Sequence, residues 1–186
     1  MSFKVKDHYF KKAKKENYLA RSIYKLEEIN TKFKVLRKSD KVLDLGYHPG
    51  SWTQYACKIA SLVVGIDIKP INQKLNSVQN VNLFETDAFS IENISDLGVT
   101  EKFDVVLSDM APNTTGIKGV DQQRSLNLVE QVFDSLHFLL KKEGNIIIKI
   151  FDSNDAQTFI KENQYRFKEI RKLEPKSTRS VSKEFF

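Results

Sequence analysis

Two kinds of patterning alternate along the chain. Short apolar runs rich in β-branched residues occur at residues 41–46, 62–67, 81–84, 103–108 and 145–151. They show no regular alternation of apolar and polar positions, which is the mark of parallel strands covered on both faces. Between them, residues 51–60, 71–77, 122–140 and 155–163 have helical spacing. Lys141, Lys142 and Gly144 follow the longest, cations against the negative helix end and a glycine to leave it. The alternation predicts an α/β protein with an open, mostly parallel sheet and helices on both faces. Ahead of the first strand, residues 18–33 predict a helix with Leu19, Ile23, Leu26 and Ile29 on one face and cations on the other. At the far end, residues 165–173 and 179–186 flank 174–178, read as a turn between antiparallel strands. No repeat or linker interrupts the 186 residues, so one domain is expected, with a basic helical extension over 1–40 and a core over 41–186.

The net charge of +6 sharpens this picture because it is unevenly placed: +8 over residues 1–41, −6 over 42–160 and +4 over 161–186. Basic ends predict a polyanion-binding surface, and an acidic centre predicts carboxylates that receive hydroxyls, amines or cations. The 40% apolar fraction is enough to build a core and excludes a disordered tail. A lone Cys57 excludes internal disulfides, and the three histidines have no zinc-like spacing, so no metal is expected. Without a membrane-length apolar run or a leader, the expectation is a soluble intracellular protein, in a cytoplasm or an organelle matrix such as the mitochondrial one. A monomer without a membrane partner is the simplest state.

Candidate chemistry gathers at the ends of the proposed strands. The first breaks at Gly46-Tyr47-His48-Pro49-Gly50-Ser51-Trp52 into a glycine turn and then a helix, the place where an open α/β sheet receives a nucleotide-like ligand. It lacks the dinucleotide and triphosphate fingerprints. Asp67 ends the second strand about twenty residues later, where a carboxylate accepts hydrogen bonds from ribose hydroxyls. Asp87 follows the third, where it suits an adenine amino group beside Phe89. Either aspartate alone reads as a helix cap or loop residue; their joint placement favours a ligand. Trp52 suits either packing or a cofactor contact.

The fourth strand ends in Asp109-Met110-Ala111-Pro112-Asn113, and here the resemblance becomes specific. With Lys6-Asp7-His8-Tyr9, residues 20–26, Asp44-Leu45-Gly46, Val120-Asp121, Lys149-Ile150-Phe151 and residues 179–184, the chain is similar to the FtsJ/RrmJ family of S-adenosylmethionine-dependent RNA ribose 2′-O-methyltransferases. The resemblance implies a Rossmann-like methyltransferase fold, an antiparallel C-terminal strand and a catalytic tetrad at Lys25, Asp109, Lys149 and Glu184. It implies S-adenosyl-L-methionine as cofactor, held by Gly46, Gly50, Trp52, Asp67, Asp87 and Asp109. The implied partner is large-subunit rRNA or the assembled large ribosomal subunit, with the uridine ribose of the A-loop as target. Lys11, Lys12, Lys14, Lys15, Arg21 and Arg179 are the expected RNA-binding cations. A tRNA anticodon-loop ribose, or a non-catalytic role in ribosome assembly, are the alternative readings. Independently of the family, Lys149 sits at an apolar strand end, where lost hydration and the neighbouring Lys25 work toward the neutral form that a base requires and Asp109 and Glu184 work against it. Tyr47-His48 departs from the family pattern, which has small residues there, so both rings must turn away from the cofactor or meet its methionine end.

Overall fold

The computed structural model describes residues 8–179 and 182–186; Lys6, Asp7, Ser180 and Val181 of the motifs above lie outside them. The central sheet holds β1 (Lys41–Leu45), β2 (Leu62–Asp67), β3 (Val81–Glu85), β4 (Phe103–Ser108) and β5 (Leu140–Ile148), in the order β3-β2-β1-β4-β5 and parallel throughout. Side chains of odd and even positions enter different cores. Leu43, Leu45, Val64, Ile66 and Val106 pack beneath α4 (Lys118–Leu139) and α5 (Asn154–Asn163), whereas Val42, Val63, Val105 and Leu107 pack beneath α2 (Ile23–Phe33) and α3 (Ser51–Ala56). With both faces covered, alternation vanishes from the strand sequences, as expected of a mixed-face parallel sheet. Leu26 and Ile29 of α2 belong to the second core, so this helix shares its buried face with the sheet. The short α1 (His8–Lys15) contributes Ala13 to a separate cluster with Ile23 and Tyr24.

Several local expectations are corrected. Residues 18–33 do not form one helix: α2 starts at Ile23, because Leu19 N–H donates to Gln54 Oε1 at 2.8 Å and the Ser22 and Ser51 hydroxyls bond at 2.8 Å, pinning the preceding segment to α3. Residues 71–77 make turns, since Asn72 spends its side chain on the Pro49 carbonyl (2.8 Å) and the Lys74 amide (3.1 Å), which competes with helix formation. Lys141, Lys142 and Gly144 do not end a helix but lie within β5. The chain passes from α4 into the strand at Leu140, Glu143 takes a left-handed φ of 64°, and the register slips between Phe103 and Val105. The proposed terminal hairpin reduces to one backbone exchange, Leu173 with Phe186 at 2.8 and 2.9 Å, around a retained turn at Pro175. The last strand, β7 (Glu184–Phe185), pairs antiparallel instead with β6 (Ile150–Phe151), which continues the line of β5 after a break at Lys149.

Tyr47 resolves its own departure by turning inward. It is 3% exposed and lies over Gly65 of β2, where a Cβ would sit 3.0 Å from the tyrosine ring and 2.8 Å from Leu83. Gly65→Ala is therefore expected to overpack this site and destabilise the fold by about 1–3 kcal/mol. A thermal melt checks it: the single variant should melt several degrees lower, and Tyr47→Leu in the same chain should recover part of the loss.

Candidate active site

The strand order reverses between β1 and β4, so the crossovers that follow them run to opposite sides and leave a crevice above their carboxyl ends. Into it open the loop after β1, the end of β2 and the segment after β4. Gly46 (φ 69°) and Gly50 (φ 109°) both adopt backbone conformations that disfavour a side chain, and a Cβ on them would strike Met110 and Leu75 respectively. The close approach that requires glycine is thus made by the protein's own side chains.

The four residues of the expected tetrad meet at this end of the sheet. Lys149 N–H extends the β4 ladder by donating to Ser108 O at 2.9 Å, which fixes its backbone where β5 ends. Its Nζ donates to the Asp109 carbonyl and, at 3.0 Å, to the Asp109 carboxylate, and the lysine side chain is only 6% exposed. Across from this pair, Lys25 of α2 donates to Glu184 of β7, with side-chain exposures of 13% and 9%. Burial pushes the Glu184 carboxyl up, but Lys25, then Lys149, then a hydrogen bond from Ser182 more than reverse this, so it lies below the ordinary glutamate value. Lys25 also lies 5.4 Å from the Phe186 ring.

The other expected ligand contacts are distributed around the crevice. Asp67 is half-buried, and its carboxylate accepts the backbone N–H groups of His48 and Lys69 at 2.9 Å each, which ties the end of β2 to the glycine loop. Beside it Ile68 is 73% exposed. Asp87 is exposed and accepts the Phe89 amide at 3.0 Å, capping the short helical turn Ala88–Ser90. Trp52 is 2% exposed; its indole donates to Ser22 O at 2.8 Å and its ring packs against Phe186, so its side chain works as packing between α2, α3 and the C-terminal strand. Of the expected RNA-binding cations, Lys11, Lys14, Lys15 and Arg179 are exposed and Arg21 is half-buried. Lys12 lies over the Tyr24 ring at 4.3 Å, on the way to Glu16.

Two acidic residues gain roles that the strand pattern did not assign. Asp44 shares the face of Val42 and is 1% exposed, accepting a hydrogen bond from Thr53 Oγ1 at 2.7 Å. Burial, reinforced by Asp109 and Asp67, pushes its carboxyl up to about 7, against the bond from Thr53. A carboxylate inside the run Val42-Leu43-Asp44-Leu45 was the available signal. Asp121, at the start of α4, accepts the amides of Thr115 and Gly116 and the Thr115 hydroxyl at 2.7, 3.1 and 2.9 Å, and these bonds hold its carboxyl below the usual range. It braces the loop that follows Asp109. Among the described residues no cluster of His, Cys, Asp and Glu could hold a metal, and no helix is long and apolar enough to cross a membrane.

A switch-point crevice lined by carboxylates, in a five-stranded sheet of this order, defines a Rossmann-like methyltransferase. Residues 18–186 match the family model described as FtsJ-like methyltransferase, and the chain belongs to that family. The Ribosomal RNA large subunit methyltransferase E of Bdellovibrio bacteriovorus is 42% identical over 189 residues, covering 100% of this chain and 96% of the relative. The protein of the same name from Brachyspira hyodysenteriae is 44% identical, covering 98% and 94%. A crystal structure described as that of a ribosomal RNA methyltransferase from Plasmodium falciparum superposes with a TM-score of 0.76 at 25% identity, over 90% of this chain and 94% of that one.

The raised Asp44 carboxyl has a measurable consequence. Its folded value of about 7 exceeds the ordinary 3.8, so between these values the folded state holds the proton more tightly than the unfolded chain. Stability contributed by this group is complete below about pH 4 and is lost as pH rises to about 7, at up to about 1.4 kcal/mol per unit. Asp44→Asn, which keeps an acceptor for Thr53, is expected to flatten the fall; urea unfolding of both proteins between pH 4 and 8 checks it.

Proposed function

We propose that the protein transfers the methyl group of S-adenosylmethionine to the 2′-hydroxyl of a uridine ribose in the A-loop of large-subunit ribosomal RNA, with Lys149 as general base. The observation that carries this reading is the valence of the Lys149 amine. A neutral amine has two hydrogens and one lone pair. Both hydrogens have acceptors on Asp109, its carbonyl and its carboxylate, which leaves the lone pair as the position that receives a proton. Lys25 stands ready to stabilise charge growing on the attacking oxygen, and Glu184 holds Lys25 in place.

The crevice fits the proposed cofactor by its charge. Asp67 and Asp109 both lie within electrostatic reach of Asp44, an arrangement that a cationic ligand relieves. S-adenosylmethionine carries a sulfonium and an amino group, and when bound it supplies an electrophilic methyl group. Asp67 suits the ribose hydroxyls, exposed Ile68 the face of the base, Asp87 its amino group, and the backbone at Gly46, Gly50 and Trp52 the methionine end. The RNA reading draws on the exposed cations of α1 and of the C-terminal segment, and on the names of the relatives.

Lys149→Met is expected to slow single-turnover methyl transfer to ribosomal subunits by about 10²–10⁴-fold while leaving S-adenosylmethionine affinity close to wild type. Near-normal chemistry in this variant refutes the base assignment, and labelling confined to tRNA refutes the ribosomal target. Affinity for RNA should fall steeply as salt is raised and affinity for S-adenosylmethionine only slightly, because only the first depends on phosphate contacts. Parallel titrations at three salt concentrations measure the two slopes.

A further inference from the structure

The segment that follows Asp109 is held firmly for a surface loop. Asp121, 8% exposed in the first turn of α4, accepts the amide and hydroxyl of Thr115 and the amide of Gly116. The Thr115 hydroxyl oxygen accepts the Ile117 amide at 3.2 Å, and the Arg124 guanidinium donates to the Asn113 carbonyl at 3.2 Å. Gly116 takes the left-handed φ of 83° at the bend. The helix beneath is fastened in turn to the chain that follows Lys149. Gln122 donates to the Asp152 carbonyl, and the Ser125 hydroxyl accepts the Phe151 N–H at 3.3 Å. The loop therefore begins on one member of the Asp109–Lys149 pair and ends on a helix tied to the strand just beyond the other.

These bonds run inward and leave an apolar surface outside. Ile117 is 64% exposed and Val120 39%. The Ile117 carbonyl accepts the Asp121 N–H at 3.0 Å, the bond that opens α4, so the two side chains stand three positions apart at the head of one helix and are near neighbours on its surface. Lys118 lies between them in sequence and Arg124 four positions on, both exposed. A single exposed isoleucine is ordinary. A rigidly held apolar pair among cations, beside the crevice, matches what a nucleotide presents, which is an apolar base face joined to a phosphate.

We infer that Ile117 and Val120 form a shelf against which the base of the methylated nucleotide packs. That the occupant is a nucleotide rests on the proposed function. The 2′-oxygen and the base hang on neighbouring carbons of one ribose, so a 2′-hydroxyl brought to Lys149 carries its base to the border of the Asp109–Lys149 pair, where this loop begins. The two side chains offer neither donor nor acceptor, so the shelf holds a base that has left its stack without reading its edge. A braced shelf also has little freedom to lose when the base arrives, and the contact goes into aligning the hydroxyl for attack.

A binding measurement that does not read methyl transfer tests the shelf. The probes are a uridine hexamer and the same ribose-phosphate chain without bases, which carry equal charge. Wild type is expected to bind the hexamer about tenfold more tightly than the base-free chain. The double variant Ile117→Ser, Val120→Ser changes exposed positions only; it should melt with wild type, bind the base-free chain as before and lose the tenfold preference. Ile117→Val should keep most of it. Affinity should fall with salt along the same slope in all three proteins, because no phosphate contact has changed. A wild type that binds both chains alike, a preference that survives in the double variant, or an equal weakening of both chains there overturns the shelf. Separate mapping of methylated ribosomal subunits keeps the two readings apart. Methylation without the base preference keeps the proposed function and loses the shelf, and the preference without methylation keeps the shelf and loses the proposed function.

Discussion

Parallel strands can be joined only by crossovers, and right-handed crossovers that travel in opposite directions must cover opposite faces of the sheet. In this chain the one after β1 travels toward β2 through α3, and the one after β4 travels toward β5 through α4. Their parting leaves two neighbouring strand ends with no chain above them. Everything chemical in the molecule is arranged around that gap. The glycine loop, Asp67 and Asp109 reach it from the strand ends, Lys149 from the break between β5 and β6, and Lys25 and Glu184 from the two ends of the chain.

The gap is framed by charges that the interior makes consequential. Lys149 and Asp109 are held together where water has little access, and so are Lys25 and Glu184. A buried ion pair is a weak contributor to net stability because both partners lose hydration, so its value here lies in geometry. Each carboxylate fixes the position of one ammonium. Asp44 differs, since its partner is a hydroxyl rather than a cation, and burial raises its carboxyl well above the ordinary aspartate value. Within the acidic middle of the sequence, Asp109 and Asp67 thus both act on one deep carboxyl, Asp44, while Asp109 is also paired with Lys149.

The strands were the most readable part of the fold, because burial on both faces writes a contiguous apolar run that no surface segment imitates. Residues 62–66 and 105–107 carry it. What local pattern could not reveal was set by contacts between distant side chains. The start of α2 depends on Gln54 and Ser51, and the turns at 71–77 depend on the carbonyl of Pro49. The pairing of β7 with β6 depends on a lysine interrupting an otherwise continuous strand. In the site, the same limit applies. Lys149 and Asp109 announce themselves as charges at apolar strand ends, whereas the inward turn of Tyr47 is legible only once Gly65 is known to lie beneath it. Trp52 could be read two ways from sequence, and the bond from its indole to Ser22 assigns the side chain to packing.

The bond between Lys25 and Glu184 joins positions 159 apart in a chain of 186. Such a contact forms only after nearly all of the polypeptide has been made and has found its place, since loop closure over so long a span is not rewarded until the intervening structure exists. Lys149 and Asp109 can meet earlier, with β4 and β5 alone. The four residues of the expected tetrad are thus joined as two pairs, one spanning 40 positions and the other 159. A partly unfolded chain can possess the crevice without possessing this last contact, so the constellation proposed for catalysis depends on segments from both ends of the domain being in place together.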